Sequence, residues 1–374
     1  MKGDRDEKRK MDVRKILKVM RWVATFVAIL SVFLLTLCSL SVYINPERCQ
    51  YVSVFCLLFP LWLVMSLTMT VVVLFYNRKL ALVLFAVLCC NIPSIRNYCP
   101  LNLPVSAEEV KGQTLKVMSY NVQGFGLAAK GEKSLHAFRA FLDTCDADIV
   151  SFQEGSFKKV VDTCLIAPAR RNYPYFMKNK GVYWHSWVGV FSKYPILSYE
   201  TIDTTGNNIC CAFKVELPKG DTLIVVNAHM PSLRLSAEER LLLKDVIDVA
   251  HKETNNAGFP SLIASVCAAG KLRARQVDNI CNYLKLHQGE NIILTGDFND
   301  TPVSYAHQRI SDYLQDCFKA VGNGIGRTFN KDALYVRIDN VFSSEWWKPV
   351  ACEIRDDVHL SDHYPIVCTL KRTE

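Results

Sequence analysis

Six short segments of this chain, each at an end of an apolar run or in the adjoining loop, carry side chains that bind cations, move protons or hold anions. They are Ser119–Asn121 (SYN), Ser151–Glu154 (SFQE), Asn227–Met230 (NAHM), Thr295–Asp300 (TGDFND), Arg337–Asn340 (RIDN) and Leu360–Pro365 (LSDHYP). Together they hold Asn121, Glu154, His229, Asp297, Asn299, Asp339, Asp362 and His363. Hard oxygen donors of this kind suit Mg²⁺, which keeps most of its waters and needs only one or two carboxylates. Such an ion neutralises a phosphoryl oxygen and a leaving oxyanion. A carboxylate can take a proton from attacking water, and a charged histidine and an amide can hold the crowded phosphate that results. Each segment alone has a plainer reading. Asp297 would be a turn residue or helix cap, His229 a satisfied histidine, and Asn121 a turn former. Asp339-Asn340 would be a hairpin corner, and Asp362-His363 a polar turn before the last strand. Finding all six in one chain, each at the end of an apolar run or in the adjoining loop, favours a site.

The runs themselves read as strands: Leu115–Val122, Asp148–Gln153, Ser186–Ser192, Ile209–Leu217, Thr222–His229, Asn291–Gly296, Arg337–Phe342 and Ile366–Leu370. Helical spacing occurs over Ser134–Cys145, Ser236–Lys252, Leu272–Leu286 and Tyr305–Leu314. Alternating strands and helices over this length predict one α/β domain, with the polar clusters on a common edge of a rigid sheet. The polar stretch Lys252–Gly258 precedes small and apolar residues at Pro260–Ala269. These would cap the site, contact lipid or pack as core, and core packing is the default.

The order SYN, SFQE, HM, GDFND, RIDN and SDHYP resembles the endonuclease/exonuclease/phosphatase superfamily, over about Leu115 to Thr369. GDFN with SDH near the C-terminus is the specific pair, and VFSKYPI (Val190–Ile196) matches as well. The resemblance implies a four-layer α/β sandwich, two mixed β-sheets face to face with helices outside, and a Mg²⁺ or Mn²⁺ cofactor. It implies Glu154 as the main metal ligand with Asn121 beside it, and Asp362 near the ion, as a ligand or one step behind it. Asp297 would orient or deprotonate the water, and Asn299 would hold the phosphate. His363 would contact the phosphate in a tautomer set by Asp339, and His229 would be a second phosphate contact or an acid. The family acts on substrates from DNA to phospholipids, so a lipid headgroup and a nucleic acid both remain open, as does a catalytically idle binding protein on the same fold. All eight positions carry the expected residue type, which counts against the last.

Half of the residues are apolar, and the excess lies at the front. Uncharged apolar runs span Val23–Ile44, Tyr51–Tyr76 and Leu80–Ile95; the first two are long enough to cross a bilayer and the third is marginal. The chain therefore divides into residues 1–96, a basic N-terminus with two to three transmembrane helices; a linker, 97–111; and a catalytic domain, 112–374. The formal charge is +8, yet residues 1–21 hold nine Lys/Arg against four Asp/Glu, and residues 95–374 carry only +1. That offers no general basic surface for DNA. The group Lys271-Leu272-Arg273-Ala274-Arg275 reads as a solvated helix face. The basic N-terminus instead marks the cytoplasmic side. Three crossings then put the domain outside, as in a multi-pass bacterial inner-membrane protein with a periplasmic enzyme. Fifteen cysteines lack zinc-ligand spacing. Those inside strands, Cys210, Cys211 and Cys368, read as buried free thiols.

Overall fold

The computed structural model describes residues 2–156, 158–179, 187–205, 208–218, 220–233, 259–331 and 335–373. The helix expected at Ser236–Lys252, the stretch Lys252–Gly258 and Ser186 lie outside them.

The first apolar run lies in helix α1 (Lys2–Ser41). The second breaks at Leu58 into α2 (Val52–Leu57) and α3 (Phe59–Leu74), because Pro60 starts a helix more readily than it continues one. The third forms α4 (Arg78–Cys90), capped by the Asn77 side chain, and turns by 60° into α5 (Ile92–Tyr98). By length and composition Met11–Ser41 alone is one helix able to cross a membrane; the bent pair would make a second. Ala28, Val32, Leu35, Cys38 and Val42 recur at helical spacing and pack on Phe59, Leu63 and Val73 of α3 and on Ala81, Leu84 and Leu88 of α4.

Among the described residues of the C-terminal part, the strands form two six-stranded mixed sheets. The first runs β11 (Trp347–Ile354), β12 (Ile366–Arg372), β1 (Thr114–Asn121), β2 (Ile149–Gln153), β4 (Val188–Ser192), β3 (Tyr175–Lys178). The second runs β5 (Ile196–Thr205), β6 (Asn208–Glu216), β7 (Thr222–His229), β8 (Ile292–Asp297), β10 (Asp339–Ser343), β9 (Gln315–Asp316). The pairs β1–β2 and β7–β8 are parallel, and the other pairs are antiparallel. The period of two decides what each strand covers. Leu115, Val117, Ile149, Val225 and Ile293 meet between the sheets. Met118, Tyr120, Val150 and Phe152 point outward to Leu135, Phe138 and Leu142 of α6 (Glu132–Cys145). Ile224, Val226 and Leu294 point to Val277 and Ile280 of α7 (Phe259–Leu286) and Ile310 of α8 (Tyr305–Ser311). The result is the expected four-layer sandwich.

Three expectations need correction. Helix α7 begins at Phe259 rather than near Leu272, and its first turns pack Leu262 and Val266 against Val54 and Leu57 of the N-terminal helices. Arg273 is not on a solvated face: it is buried, with Nε donating to Asp300 Oδ2 at 2.9 Å and Nη1 to the Pro231 carbonyl at 3.0 Å. Cys368 is not a free thiol. It forms a disulfide with Cys352, its partner across β11 and β12, whereas Cys210 and Cys211 are buried and free.

Candidate active site

The parallel pairs bring the polar tips together. Asn121 lies beside Gln153 in the β1–β2 register, with Glu154 next in the chain. His229 lies beside Asp297 in the β7–β8 register, and Asp339 pairs with Asp297 from the other side. The two sheets are stitched at this edge. Asn121 Nδ2 donates to Asp297 Oδ2 at 2.9 Å and to Glu154 Oε1 at 3.1 Å. Gln153 Nε2 donates to Asn227 Oδ1 at 2.7 Å, and Asn227 Nδ2 returns to the Phe152 and Gly189 carbonyls. Backbone strain marks the same place. Glu154 and Asn299 hold φ of 54° and 50°, left-handed values that a residue with a Cβ adopts only where its surroundings impose them. Gly296, at φ 145°, leaves no room for a Cβ against the Ala228 carbonyl, so β7 and β8 approach closely just before Asp297.

His363 sits between two carboxylates. Its Nδ1 donates to Asp339 Oδ2 at 2.8 Å, and its Nε2 is 3.7 Å from Asp297 Oδ2. Burial disfavours its charge, but Asp339 and Asp297 outweigh that and raise its pKa to about 10. Burial, with the Asp339 charge, pushes the Asp297 carboxyl up to about 6, against the pull of His363, His229 and Asn121. His229 Nε2 lies 3.3 Å from Glu154 Oε1. Burial works against the His229 charge too, and the Glu154 contact more than offsets it, so its pKa is raised. Burial would likewise raise Glu154, yet its bonds to His229 and Asn121 bring it down to about 2. Asn299 donates from its backbone to Asp297 Oδ1 at 2.8 Å and from Nδ2 to Asp297 Oδ2 at 3.1 Å. Asp362 stands at the rim, its Oδ2 accepting from Gln123 Nε2 at 2.7 Å and Lys331 Nζ at 3.0 Å.

Seven of the eight expected residues are thus linked by side-chain contacts: Asn121, Glu154, His229, Asp297, Asn299, Asp339 and His363. Asp362 joins through Gln123, whose backbone N–H donates to Asn121 Oδ1 at 3.2 Å. Other residues had no such signal. Phe329 sets its ring edge-on to His363 at 5.2 Å, and Thr328 Oγ1 accepts from the Asp339 backbone at 3.1 Å. Arg337, two residues before Asp339, is buried against Asp316, which its guanidinium meets at 2.8 Å, and donates to the Asn97 carbonyl at 3.2 Å.

The donor set fits a hard divalent ion at one place better than another. Asp297, Asp339 and His363 offer ligand atoms within 4.8 Å of one another. His363, however, already donates Nδ1 to Asp339, and its two carboxylate neighbours favour the charged ring over the neutral one that ligates a metal. Glu154 could hold an ion with less rearrangement. Its side chain is 36% exposed, both contacts fall on Oε1, and Oε2 takes none among the described residues. With Asn121 beside it, Glu154 supplies the oxygen donors that Mg²⁺ or Mn²⁺ prefers.

Residues 118–363 match the pattern of the Endonuclease/Exonuclease/phosphatase family, and residues 18–98 match a domain of unknown function (DUF8431). No match to a curated protein is found. Among solved structures, the endonuclease/exonuclease/phosphatase from Bacteroides vulgatus superposes with a TM-score of 0.50 at 18% identity, covering 70% of this chain and 100% of that one. The corresponding protein from Beutenbergia cavernae gives 0.50 at 16% identity, covering 70% and 72%. Likeness at this distance speaks for the fold, and the family pattern takes in β1, β8, β10 and His363. The chain belongs to the endonuclease/exonuclease/phosphatase family, whose members hydrolyse phosphoester bonds.

Proposed function

We propose that this protein is a membrane-anchored phosphoesterase that uses Mg²⁺ or Mn²⁺ and splits a phosphoester by attack of water. The observation that carries the reading is the buried row Asp339–His363–Asp297, set beside Glu154, Asn121 and His229. Glu154 with Asn121 would hold the ion, with Asp362 behind them; when bound it neutralises a phosphoryl oxygen and the leaving oxyanion. Asp297, its pKa pushed up to about 6 and its carboxylate anchored by Asn121 and Asn299, takes a proton from water as the new P–O bond forms. His363, kept charged by Asp339, and the Asn299 amide hold the non-bridging oxygens of the five-coordinate phosphate. The P–O bond to the leaving group breaks, and His229, whose hold on its proton is strengthened by Glu154, gives that oxygen a proton.

Two features support a multi-pass anchor with the enzyme on the extracytoplasmic side. Phe26, Ile29, Phe33, Leu61, Val64 and Phe85 belong to an exposed apolar belt around α1, α3 and α4, far larger than a soluble surface carries. The basic residues Arg14, Lys18, Arg21, Arg78 and Lys79 gather at the end where Tyr76 donates to the Arg21 carbonyl, away from the catalytic domain. The near-neutral charge after residue 95 favours a small or lipid phosphoester over a nucleic acid. The test is full-length protein in nanodiscs with Mg²⁺, given bis(p-nitrophenyl) phosphate, phospholipid vesicles and plasmid DNA in parallel. Hydrolysis of the soluble diester that EDTA stops is expected, with DNA cut slowly. Rapid cutting of DNA alone would transfer the assignment to a nuclease.

A further inference from the structure

The catalytic domain does not hang from a loose tether. Asn45, just beyond the end of α1, donates from Nδ2 to Asp278 Oδ2 at 3.1 Å and to the Tyr305 hydroxyl at 3.2 Å. Glu47 pairs with Arg275. Tyr98 at the end of α5 packs on Phe59 and donates to the Tyr335 carbonyl at 2.9 Å. Asn102 donates to the Lys319 and Gly322 carbonyls at 3.1 and 2.6 Å, which pins the chain leaving α5 to the domain. Trp22 and Tyr43 are both exposed and lie 21 positions apart, about 30 Å at helical rise, which is the thickness of a hydrocarbon core. Aromatic residues prefer the two faces of a bilayer, so Tyr43 and the exposed Tyr51 mark the face on which the domain sits.

Beside the Tyr98 and Asn102 bonds three large apolar side chains are exposed: Leu101, Leu103 and Tyr335, at 80%, 89% and 62% exposure, with the Arg327 guanidinium 4.5 Å from the centre of the Tyr335 ring. Arg96 is exposed beside them, its guanidinium donating to Asn102 Oδ1 at 3.2 Å. Tyr335 belongs to a ribbon in which the Thr328 N–H donates to the Val336 carbonyl at 3.1 Å. One arm of the ribbon ends on the site, with Phe329 against His363 and Lys331 paired to Asp362; the other runs into Asp339.

We infer that Leu101, Leu103 and Tyr335 form a rim that docks into the headgroup layer of the bilayer holding α1. The rim sets the site at headgroup depth, so the substrate is a phosphoester carried by a membrane amphiphile. This substrate assignment rests on the phosphoesterase reading proposed above, and the docking rests only on the membrane anchor proposed with it. Leu101 and Leu103 follow directly on α5, whose Tyr98 packs on Phe59 among the helices that carry the apolar belt, which chooses a bilayer over a protein partner, and exposed Arg96 suits anionic headgroups.

Two experiments on the full-length protein in vesicles separate these layers. In the first, Leu103→Trp is compared with the parent, using lipids brominated near the headgroup. The added emission is expected to be quenched; unquenched emission overturns the docking, whether or not the protein is active. In the second, Leu101→Ser/Leu103→Ser/Tyr335→Ser is assayed on phosphatidylglycerol in the vesicle and on bis(p-nitrophenyl) phosphate in solution. Removing three inserted apolar groups should slow the lipid at least about tenfold and the soluble diester less than about twofold. Equal losses on both, no loss on the lipid, or wild-type protein that prefers plasmid DNA would overturn the substrate assignment. Inactivity of the wild type on every probe would overturn the phosphoesterase reading and leave the quenching result standing.

Discussion

At the scale of single residues the account turns on His363. Its pKa of about 10 comes from Asp339 and Asp297 together, set against burial. Asp339→Asn is isosteric and removes one of the two carboxylates, so the pKa should fall part of the way toward the ordinary value of about 6.5. The alkaline limb of the rate profile should then move to lower pH, with activity down at least about tenfold at neutrality. His363→Ala should cost about as much alone, and the double variant little more, because the pair acts as one unit. Stability carries the opposite check on sign. A histidine with a raised folded pKa stabilises fully below its unfolded pKa, and that contribution fades as pH rises toward about 10. Melting temperature should therefore fall between neutral pH and pH 10 in wild type, and less steeply in Asp339→Asn. A pair that serves only as a turn would lower melting temperature and spare specific activity. The eight candidate residues were legible because each lies at an end of an apolar run or in the loop beside it, and those ends meet at one edge of the sheets. Phe329 and Thr328 were not, since their roles exist only once a loop folds back onto His363 and Asp339. Arg337 lay inside a recognised segment, but its bond to the Asn97 carbonyl joins residues 240 positions apart.

At the scale of elements, the eight strands expected from the sequence are the interior strands of the two sheets. The four that escaped, β3, β5, β9 and β11, are their edges. The physics is the same in each case. An interior strand is buried on both faces and reads as an apolar run, whereas an edge is managed with polar residues, brevity or proline. Strand β5 (ILSYETIDTT) has no buried residue, β9 has two residues, and β11 carries Pro349 beside a register shift. What holds the sheets in register at the site is a polar staple, Gln153 to Asn227, fully buried in a largely apolar interior. Asn227→Ala strips one bond from the Gln153 amide and removes the second bond that the Phe152 and Gly189 carbonyls accept beyond their β2–β4 pairing. It should destabilise by about 2 kcal/mol or more, read as a lower melting temperature. It should also reduce activity, because Asn121 and Asp297 sit on opposite sheets. An unchanged melting temperature would mean the staple is idle.

At the scale of the whole molecule, the helical unit and the catalytic domain share buried surface. Val303, three residues after Asp300, packs with the helices, and Leu262 and Val266 pack on α2. Residues 97–111, expected as a linker, include Asn97, Tyr98 and Asn102, all bonded to the domain. A fragment beginning at residue 112 therefore loses the Asn97 partner of buried Arg337 and the bonds from Tyr98 and Asn102. It should melt well below a fragment beginning at residue 91, which keeps them; equal melting would make the contacts incidental. The sequence carried no sign of this joint, because composition separates membrane from soluble residues but says nothing of which surfaces of the two meet.

The central claim is that Glu154 holds a divalent ion that the reaction needs. It is tested most directly by titrating Mg²⁺ against the hydrolysis rate of bis(p-nitrophenyl) phosphate for wild type and Glu154→Gln, both full-length and in nanodiscs. The substitution keeps the shape and removes the charge. The rate of Glu154→Gln should be at least about a hundredfold lower at moderate Mg²⁺ and partly restored as the ion is raised, because a weakened ligand shifts the ion's affinity. A Glu154→Gln protein as active as wild type, with both indifferent to EDTA, would contradict the claim.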